Sequence, residues 1–258
     1  MAASAGAGAA ATRRAGAVAG PGAGQGRTRA VGGRVSLPGM QHRSDPDPAA
    51  VADLLGMLAY GELLAFDRMA ADARLAPDLR RRAVLSEMAG AEMANYRLLA
   101  RRLTELGVEP ADAMAPYLEP LRDYHDRTQP HDWLEALTKA YVGEGIADDF
   151  FREVAAFLRE RDRALVLRVL HESRYQQYAA AEIGEAVRED ERVRSRLSMW
   201  ARRLVGEALC QAHRVAAARP LLAGLIVAGS GDQAGVQALF KRLIHAHSER
   251  MATVGLNS

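Results

Sequence analysis

Apolar residues recur every three or four positions along four long stretches of this 258-residue chain. Side chains at that spacing return to the same face of an α-helix, so each stretch predicts an amphipathic helix with one buried stripe. The predicted helices cover about residues 47–74, 79–107, 131–159 and 162–188. We call them helices one to four of the sequence, and they predict an all-α fold.

The connections between these helices differ in length. Short turns join helix one to two and helix three to four, whereas residues 107–130 contain Pro110, Pro116, Pro120 and Pro130 and predict a long, extended crossover. Two antiparallel hairpins joined by one long crossover are typical of ferritin-like four-helix bundles. Two extra C-terminal helices, about 191–218 and 233–251, are separated by Pro220 and a turn at 229–231, and we expect them to pack outside the bundle.

One glutamate in each bundle helix occupies a position that the apolar stripe assigns to the core. The four are Glu62, Glu92, Glu144 and Glu172, spaced 30 residues apart in the first hairpin and 28 in the second. Burying even one ionised carboxylate costs several kcal/mol, so four converging charges need compensation. Two divalent cations would supply it, as in di-metal carboxylate bundles. We therefore predict these glutamates to be metal ligands.

The nitrogen ligands of such sites are missing. Di-metal bundles place a Glu-x-x-His pair on two helices, but this chain has Asn95 three residues after Glu92 and Tyr175 three residues after Glu172. An amide oxygen is a weaker ligand than imidazole, and a phenol must lose its proton to bind well. His171 lies about 100° around the helix from Glu172 and cannot substitute. Asn95 and Tyr175 are therefore weaker candidate ligands.

Asp148 lies one turn beyond Glu144 and is either a fifth oxygen donor or a polar residue at the end of the core. The remaining candidates, His213, His245 and His247, fall on the added helices, where surface or packing roles are expected. A metal-free core, in which the glutamates pair with Arg or Tyr, is the alternative to the metal site.

Three segments, residues 61–66, 86–96 and 140–145, resemble an actinobacterial ferritin-like family that is similar to the tRNA hydroxylase MiaE. The resemblance covers about residues 48–256. It implies a non-haem di-iron monooxygenase that hydroxylates an isopentenyl-modified adenosine in tRNA. It also implies two Fe or Mn ions held by Glu62, Glu92, Glu144 and Glu172. The two departures at Asn95 and Tyr175 mean that both histidines of the family's metal pattern are absent.

The first 45 residues differ in composition from the rest. They are rich in Ala, Gly and Arg, and no acidic residue precedes Asp45. We predict a disordered tail over residues 1–45, although a transit peptide or a start at Met40 would also explain its composition, and we place the ferritin-like domain at residues 46–256.

Charge and cysteine content add little about function. The formal net charge is +2, and Cys210 is the only cysteine, which excludes an intramolecular disulfide and fits the cytoplasm. The paired arginines at 81–82, 101–102 and 202–203 could contact phosphates, although solvated arginines on helix surfaces are commoner. The longest apolar run, residues 221–228, is too short to cross a membrane, so no membrane is expected.

Two hypotheses follow from the sequence. The first is an oxygen-dependent hydroxylase that acts on an isoprenoid-modified tRNA base or a small molecule. The second is a ferritin-like scaffold or binding protein without catalysis, whose metal site has degenerated. Either form could be a homodimer.

Overall fold

The computed structural model describes residues 45–170 and 173–257, and every regular element within them is helical. The predicted all-α fold is therefore confirmed, whereas residues 1–44 of the predicted tail lie outside the described residues. The helices are α1 (Pro48–Asp72), α2 (Leu79–Glu105), α3 (Pro110–Met114), α4 (Leu118–Arg127), α5 (Trp133–Ala155), α6 (Glu160–Val169), α7 (Ser173–Glu189), α8 (Glu191–Ala218), α9 (Pro220–Ser230) and α10 (Gln233–Thr253). Short 3-10 turns follow α1 and α3, at Ala73–Leu75 and Ala115–Tyr117.

Aspartate side chains fix where the long helices begin. Asp78, Asp132 and Asp232 each accept a hydrogen bond from a backbone N–H in the first turn of α2, α5 and α10. The first N–H groups of a helix have no partner within the helix, and a carboxylate at the N-cap satisfies one of them. Asp47 and Asp190 do the same for α1 and α8. These local signals explain the close match between predicted and observed helix starts.

The core of the bundle consists of two apolar clusters at different heights. The first joins the start of α1, the end of α2 and α6 through residues such as Leu54, Leu99 and Val166. The second joins the end of α1, the start of α2, α5 and α7 through residues that include Met88, Leu137 and Ile183. The stripe residues predicted for the core are buried or half-buried in one of these two clusters.

The crossover is helical, which corrects the prediction of an extended connection. Pro110 lies in the first turn of α3, Pro116 in the following 3-10 turn and Pro120 in the first turn of α4. Proline is tolerated there because the first turn needs no backbone N–H donor, so these prolines begin helices rather than break one. The crossover also lies close against α1, where a Cβ on Gly56 would come within 2.3 Å of the Ala113 carbonyl oxygen.

Helix four of the sequence is interrupted, which also differs from the prediction. Helix α6 ends at Val169, Leu170 has an extended backbone with ψ of 146°, and α7 begins at Ser173. Residues 162–183 contain no proline or glycine that would signal a break. Val169 and Leu170 are both buried, so their tertiary contacts outweigh the local helical preference.

Three helices follow the bundle, not the two that were predicted. Pro220 begins α9 at its first position, and Gly231, with φ of 88°, ends it. Helix α8 packs on α4, α5 and α7 and buries Leu197 and Leu204, while α9 packs on α1 and buries Leu222 and Leu225. The expected packing of this part against the outside of the bundle is confirmed.

Among the described residues, the helix that comes closest to a membrane span in length and composition is α1, and not the helix that contains residues 221–228. Together with its 3-10 turn (Pro48–Leu75) it is long and apolar enough to cross a membrane, yet 67% of the apolar window is buried inside the protein. Such burial is typical of a helix in the core of a bundle.

A buried ionic contact ties the crossover and α9 to α1. Asp53, only 5% exposed, accepts a hydrogen bond from the Tyr117 hydroxyl at 2.7 Å and another from Arg219 Nε at 3.0 Å. Tyr117 belongs to the crossover, and Arg219 precedes α9. Burial, followed by the hydrogen bond to Asp53, raises the pKa of Tyr117, so the phenol remains a donor.

We expect Asp53→Ala to lower the free energy of unfolding by about 3 kcal/mol, because it leaves the Arg219 guanidinium and the Tyr117 hydroxyl without their shared acceptor. Denaturant unfolding measures this change. Asp67→Ala, at an exposed position of the same helix, is the matched control and should change stability by less than about 0.5 kcal/mol. Equal effects of the two substitutions would contradict the structural role of Asp53.

A second group of buried polar side chains lies between α1, α4 and α5. Lys139, 6% exposed, donates to the Thr128 carbonyl oxygen at 2.7 Å, and burial lowers its pKa to about 8. Burial, reinforced by Lys139 and Arg68, lowers the pKa of His125 to about 3. His125 therefore stays neutral in the folded protein at pH values where it would be protonated in the unfolded chain.

This difference predicts a specific loss of stability in acid. Between pH 6.5 and about 3 only the unfolded chain protonates His125, so the folded state loses about 2 kcal/mol between pH 7 and pH 5 from this residue. We expect His125→Gln to lack that part of the pH dependence in denaturant unfolding. His213→Gln, at an exposed position of α8, is the control and should retain the wild-type pH dependence. Identical curves for wild type and His125→Gln would contradict the assignment.

Candidate metal centre

Glu62 and Glu92, two of the four predicted ligands, lie where the two apolar clusters meet, a level of the bundle that we call the waist. In α2, Glu92 lies between residues of the two clusters, and in α1 Glu62 lies within one turn of the change from the first cluster to the second, which falls after Leu64. Their exposed fractions are only 3% and 2%, which is unusual for carboxylates. Glu62 follows the buried Leu58 by four residues, and Glu92 follows the buried Met88 by four, so helix geometry turns both toward the core.

Asn95 connects three elements at the waist. Its Nδ2 donates to Glu62 Oε2 at 3.1 Å and to the Val169 carbonyl oxygen at 2.9 Å. Val169 is the last residue of α6, where backbone carbonyls lack partners within the helix. Because Asn95 follows Glu92 by three residues, these bonds place Glu62 and Glu92 at the same height of the bundle. The amide group therefore orients a carboxylate and satisfies a helix end.

On α5, the two predicted site residues, Glu144 and Asp148, lie before and after Gly145 in the sequence. Glu144 is half-buried, and its charge, after burial, helps raise the pKa of Tyr124 on α4. Asp148 is 7% exposed. Sequence reasoning missed Tyr124 because it treated the crossover as extended, although the spacing of Tyr117, Leu121 and Tyr124 is helical.

A polar groove of about 410 Å³ opens beside Asp148, between α5, α7 and α10. Arg250 of α10 forms part of its wall, where it pairs with Asp149, and the Tyr141 hydroxyl donates to the Arg250 carbonyl oxygen at 3.1 Å. A Cβ on Gly145 would lie 2.5 Å from Arg250 Nε, so glycine leaves room for this side chain to cross α5, and a larger residue would displace it. Asp148 lines this groove, whereas Glu62, Glu92 and Glu144 do not.

The fourth predicted ligand, Glu172, lies outside the described residues, as does His171. Tyr175, the weaker candidate on α7, is half-buried and packs against the second apolar cluster. In residues 45–170 and 173–257, no three His, Cys, Asp or Glu side chains come close enough together to hold a metal ion. His213 and His245 are exposed on α8 and α10, and His245 lies 3.3 Å from Glu249, so the surface role expected for both is confirmed.

The donor chemistry at the waist fits a metal centre rich in oxygen ligands. Glu62 and Glu92 supply buried carboxylates from adjacent helices at one height, which is how a di-metal bundle provides two of its bridging or terminal ligands. Asn95 holds Glu62 by a hydrogen bond, the role that second-sphere groups have around metal ligands. Carboxylate donors without imidazole favour hard cations.

Comparisons with known proteins agree with this architecture. A family model described as "Ferritin-like domain, actinomycetes" matches residues 46–229. The chain belongs to this ferritin-like family. Among curated proteins, none matches the sequence. The match ends before α10, so the helix that carries Arg250 lies outside the part that defines the family.

Solved structures show the same fold. A protein from Synechococcus, described as having aldehyde deformylating oxidase activity, superposes on this ferritin-like chain with a TM-score of 0.64. The alignment covers 81% of this chain and 91% of the other, at 19% sequence identity. At that identity the likeness shows the fold alone, and it confirms the predicted ferritin-like bundle.

Proposed function

We propose that this ferritin-like protein binds two iron ions at the waist through Glu62, Glu92, Glu144 and Glu172 and catalyses an oxygen-dependent oxidation. The near-complete burial of Glu62 and Glu92 between two apolar clusters carries the proposal. Each ionised carboxylate costs several kcal/mol to bury, and a bound cation offsets that cost. Iron held by carboxylates would supply the activation of O₂, a chemistry that the amino-acid side chains themselves lack.

The residues around the site have separate tasks in this proposal. Asn95 keeps Glu62 in one orientation, and the two apolar clusters keep bulk water away from the carboxylates. The polar groove lined by Asp148 and Arg250 provides a route for substrate to the α5 side. Tyr124, whose pKa is raised by burial, remains protonated beside Glu144 and is available as a hydrogen-bond donor.

We base the proposed substrate class on two similarities to other proteins, one of sequence and one of structure, and both indicate an oxidation. The segments around Glu62, Glu92 and Glu144 resemble tRNA hydroxylases of the MiaE type, and the structural neighbour is described by an oxidase activity. We therefore propose hydroxylation of an isopentenyl-modified tRNA base or of a small molecule. Manganese is the alternative metal.

A non-catalytic scaffold is the second candidate function. Asn95 stands where a di-metal bundle has a histidine, and it uses its amide to hold Glu62 and the end of α6. Tyr175 replaces the second histidine. A bundle with both imidazoles replaced could retain the fold after losing its metal.

Metal content separates the two functions. We expect wild-type protein from iron-supplemented cells to contain about two Fe per chain by mass spectrometry. The double variant Glu62→Gln plus Glu92→Gln should lose most of this iron, because each substitution removes an anionic ligand. Glu87→Gln, at an exposed position of α2, should retain the metal. Less than about a tenth of an equivalent of Fe or Mn in wild type would favour the scaffold.

Restoring the missing imidazole gives a complementary test. Asn95→His creates a Glu-x-x-His pair with Glu92, so we expect iron to bind at least about tenfold more tightly in a chelator competition. The same change should cost about 1 kcal/mol of stability in the metal-free protein, because the Val169 carbonyl loses its donor. Asn95→Ala is the control, with the same loss of stability and no gain in affinity. Unchanged iron affinity in Asn95→His would contradict a metal centre at the waist.

A further inference from the structure

A second, strongly basic groove lies between the C-terminal half of α2 and α6. The two helices run antiparallel, since Asn95 contacts Val169 near one end of their contact and Arg102 contacts Asp162 near the other. The groove has a volume of about 290 Å³. Its lining consists of four arginines, one glutamate and small or apolar residues, namely Arg101, Arg102, Arg161, Arg168, Glu105, Leu98, Ala164 and Leu165. We call it the α2–α6 groove.

Two of the arginines are held in place by acidic partners. Arg102 is 13% exposed in its side chain and donates from Nε and Nη2 to the two carboxylate oxygens of Asp162, at 2.6 and 3.3 Å. Glu105 accepts from Arg102 at 3.3 Å and from Arg161 at 2.5 Å. The hydrogen bond to Asp162 raises the pKa of Arg102, so it remains cationic. These contacts fix one wall of the groove.

The other two arginines are not neutralised by the described part of the chain. Arg101 and Arg168 are both exposed, and within residues 45–170 and 173–257 neither forms an ion pair or a side-chain hydrogen bond. Among the residues that the structure describes, the four guanidinium groups of the groove meet two carboxylates, those of Glu105 and Asp162, which leaves two positive charges at this concave surface. Like charges held this close repel each other unless an anion lies between them.

The chemistry of the groove defines its ligand. Guanidinium groups bind phosphate oxygens through paired, charge-assisted hydrogen bonds, and two uncompensated charges match a phosphate monoester dianion. Leu98 and Leu165 offer apolar surface to an organic group attached to that phosphate. The volume lies at the lower end of the range for small-molecule sites, about 300 to 1,000 Å³, which favours a compact ligand.

We propose that the α2–α6 groove binds a small phosphate ester, with Arg101 and Arg168 as the principal phosphate contacts. None of the lining residues is a predicted metal ligand, so this proposal does not rest on the proposed iron centre. Phosphate esters occur both as free metabolites and in nucleic-acid backbones. A comparison of a nucleoside monophosphate with a short RNA distinguishes these two sources.

The test is calorimetric titration of the full chain with adenosine 5′-monophosphate, adenosine, inorganic phosphate and a single-stranded RNA of about twelve nucleotides without terminal phosphates. We expect the monophosphate to bind with a Kd below about 1 mM, more tightly than inorganic phosphate, and adenosine not to bind measurably. The double variant Arg101→Gln plus Arg168→Gln should weaken binding of the monophosphate at least about tenfold. It leaves the Asp162 and Glu105 contacts intact, so the fold is preserved.

The matched control is Arg80→Gln plus Arg82→Gln, which removes the same charge from exposed positions on the same helix. This control should bind the monophosphate within about twofold of wild type. Equal weakening by both double variants would show non-specific attraction and overturn the proposal. The absence of monophosphate binding at concentrations up to about 5 mM would also overturn it, because that concentration is about five times the expected upper limit of the Kd. RNA binding about a hundredfold tighter, with a steep salt dependence, would assign the groove to a nucleic-acid backbone and overturn the small ligand.

Discussion

The removal of Glu62 and Glu92 from water is the constraint on which the rest of the bundle depends. An ionised carboxylate inside an apolar core is tolerated only with a cation or with several hydrogen bonds. The fold meets this requirement by dividing its core into two apolar clusters and by keeping a polar level between them. Asn95, half-buried beside Glu62, belongs to the same level. The waist is thus a structural requirement of this core.

The bundle helices and the inward direction of Glu62 and Glu92 could be predicted because both follow from local periodicity. Aspartate N-caps fix the helix starts, and a four-residue step from Leu58 to Glu62 or from Met88 to Glu92 fixes the inward direction. The helical crossover could not be predicted with the same rule, because a proline is compatible with both a loop and a helix start. The position of Glu172 lies outside the described residues.

The break between α6 and α7 depends on contacts that the local sequence does not encode. Nothing between residues 162 and 183 disfavours a helix, but Asn95 of α2 supplies the donor that the Val169 carbonyl would otherwise find within a continuous helix. Arg250 and Arg219 are similar cases, since each pairs with an aspartate about a hundred or more residues away. Interactions of such sequence separation are set by the tertiary fold and carry no periodic signal.

The Asn95 side chain also links two regions that are otherwise independent. One N–H of its amide holds Glu62, and the other holds the end of α6, the helix that forms one wall of the α2–α6 groove. Because both N–H groups belong to one planar amide, a displacement of α6 that moves the Val169 carbonyl also turns the N–H that holds Glu62. Thermodynamic linkage makes such a coupling reciprocal, so the free energy with which a change in one region alters the other must be equal in both directions.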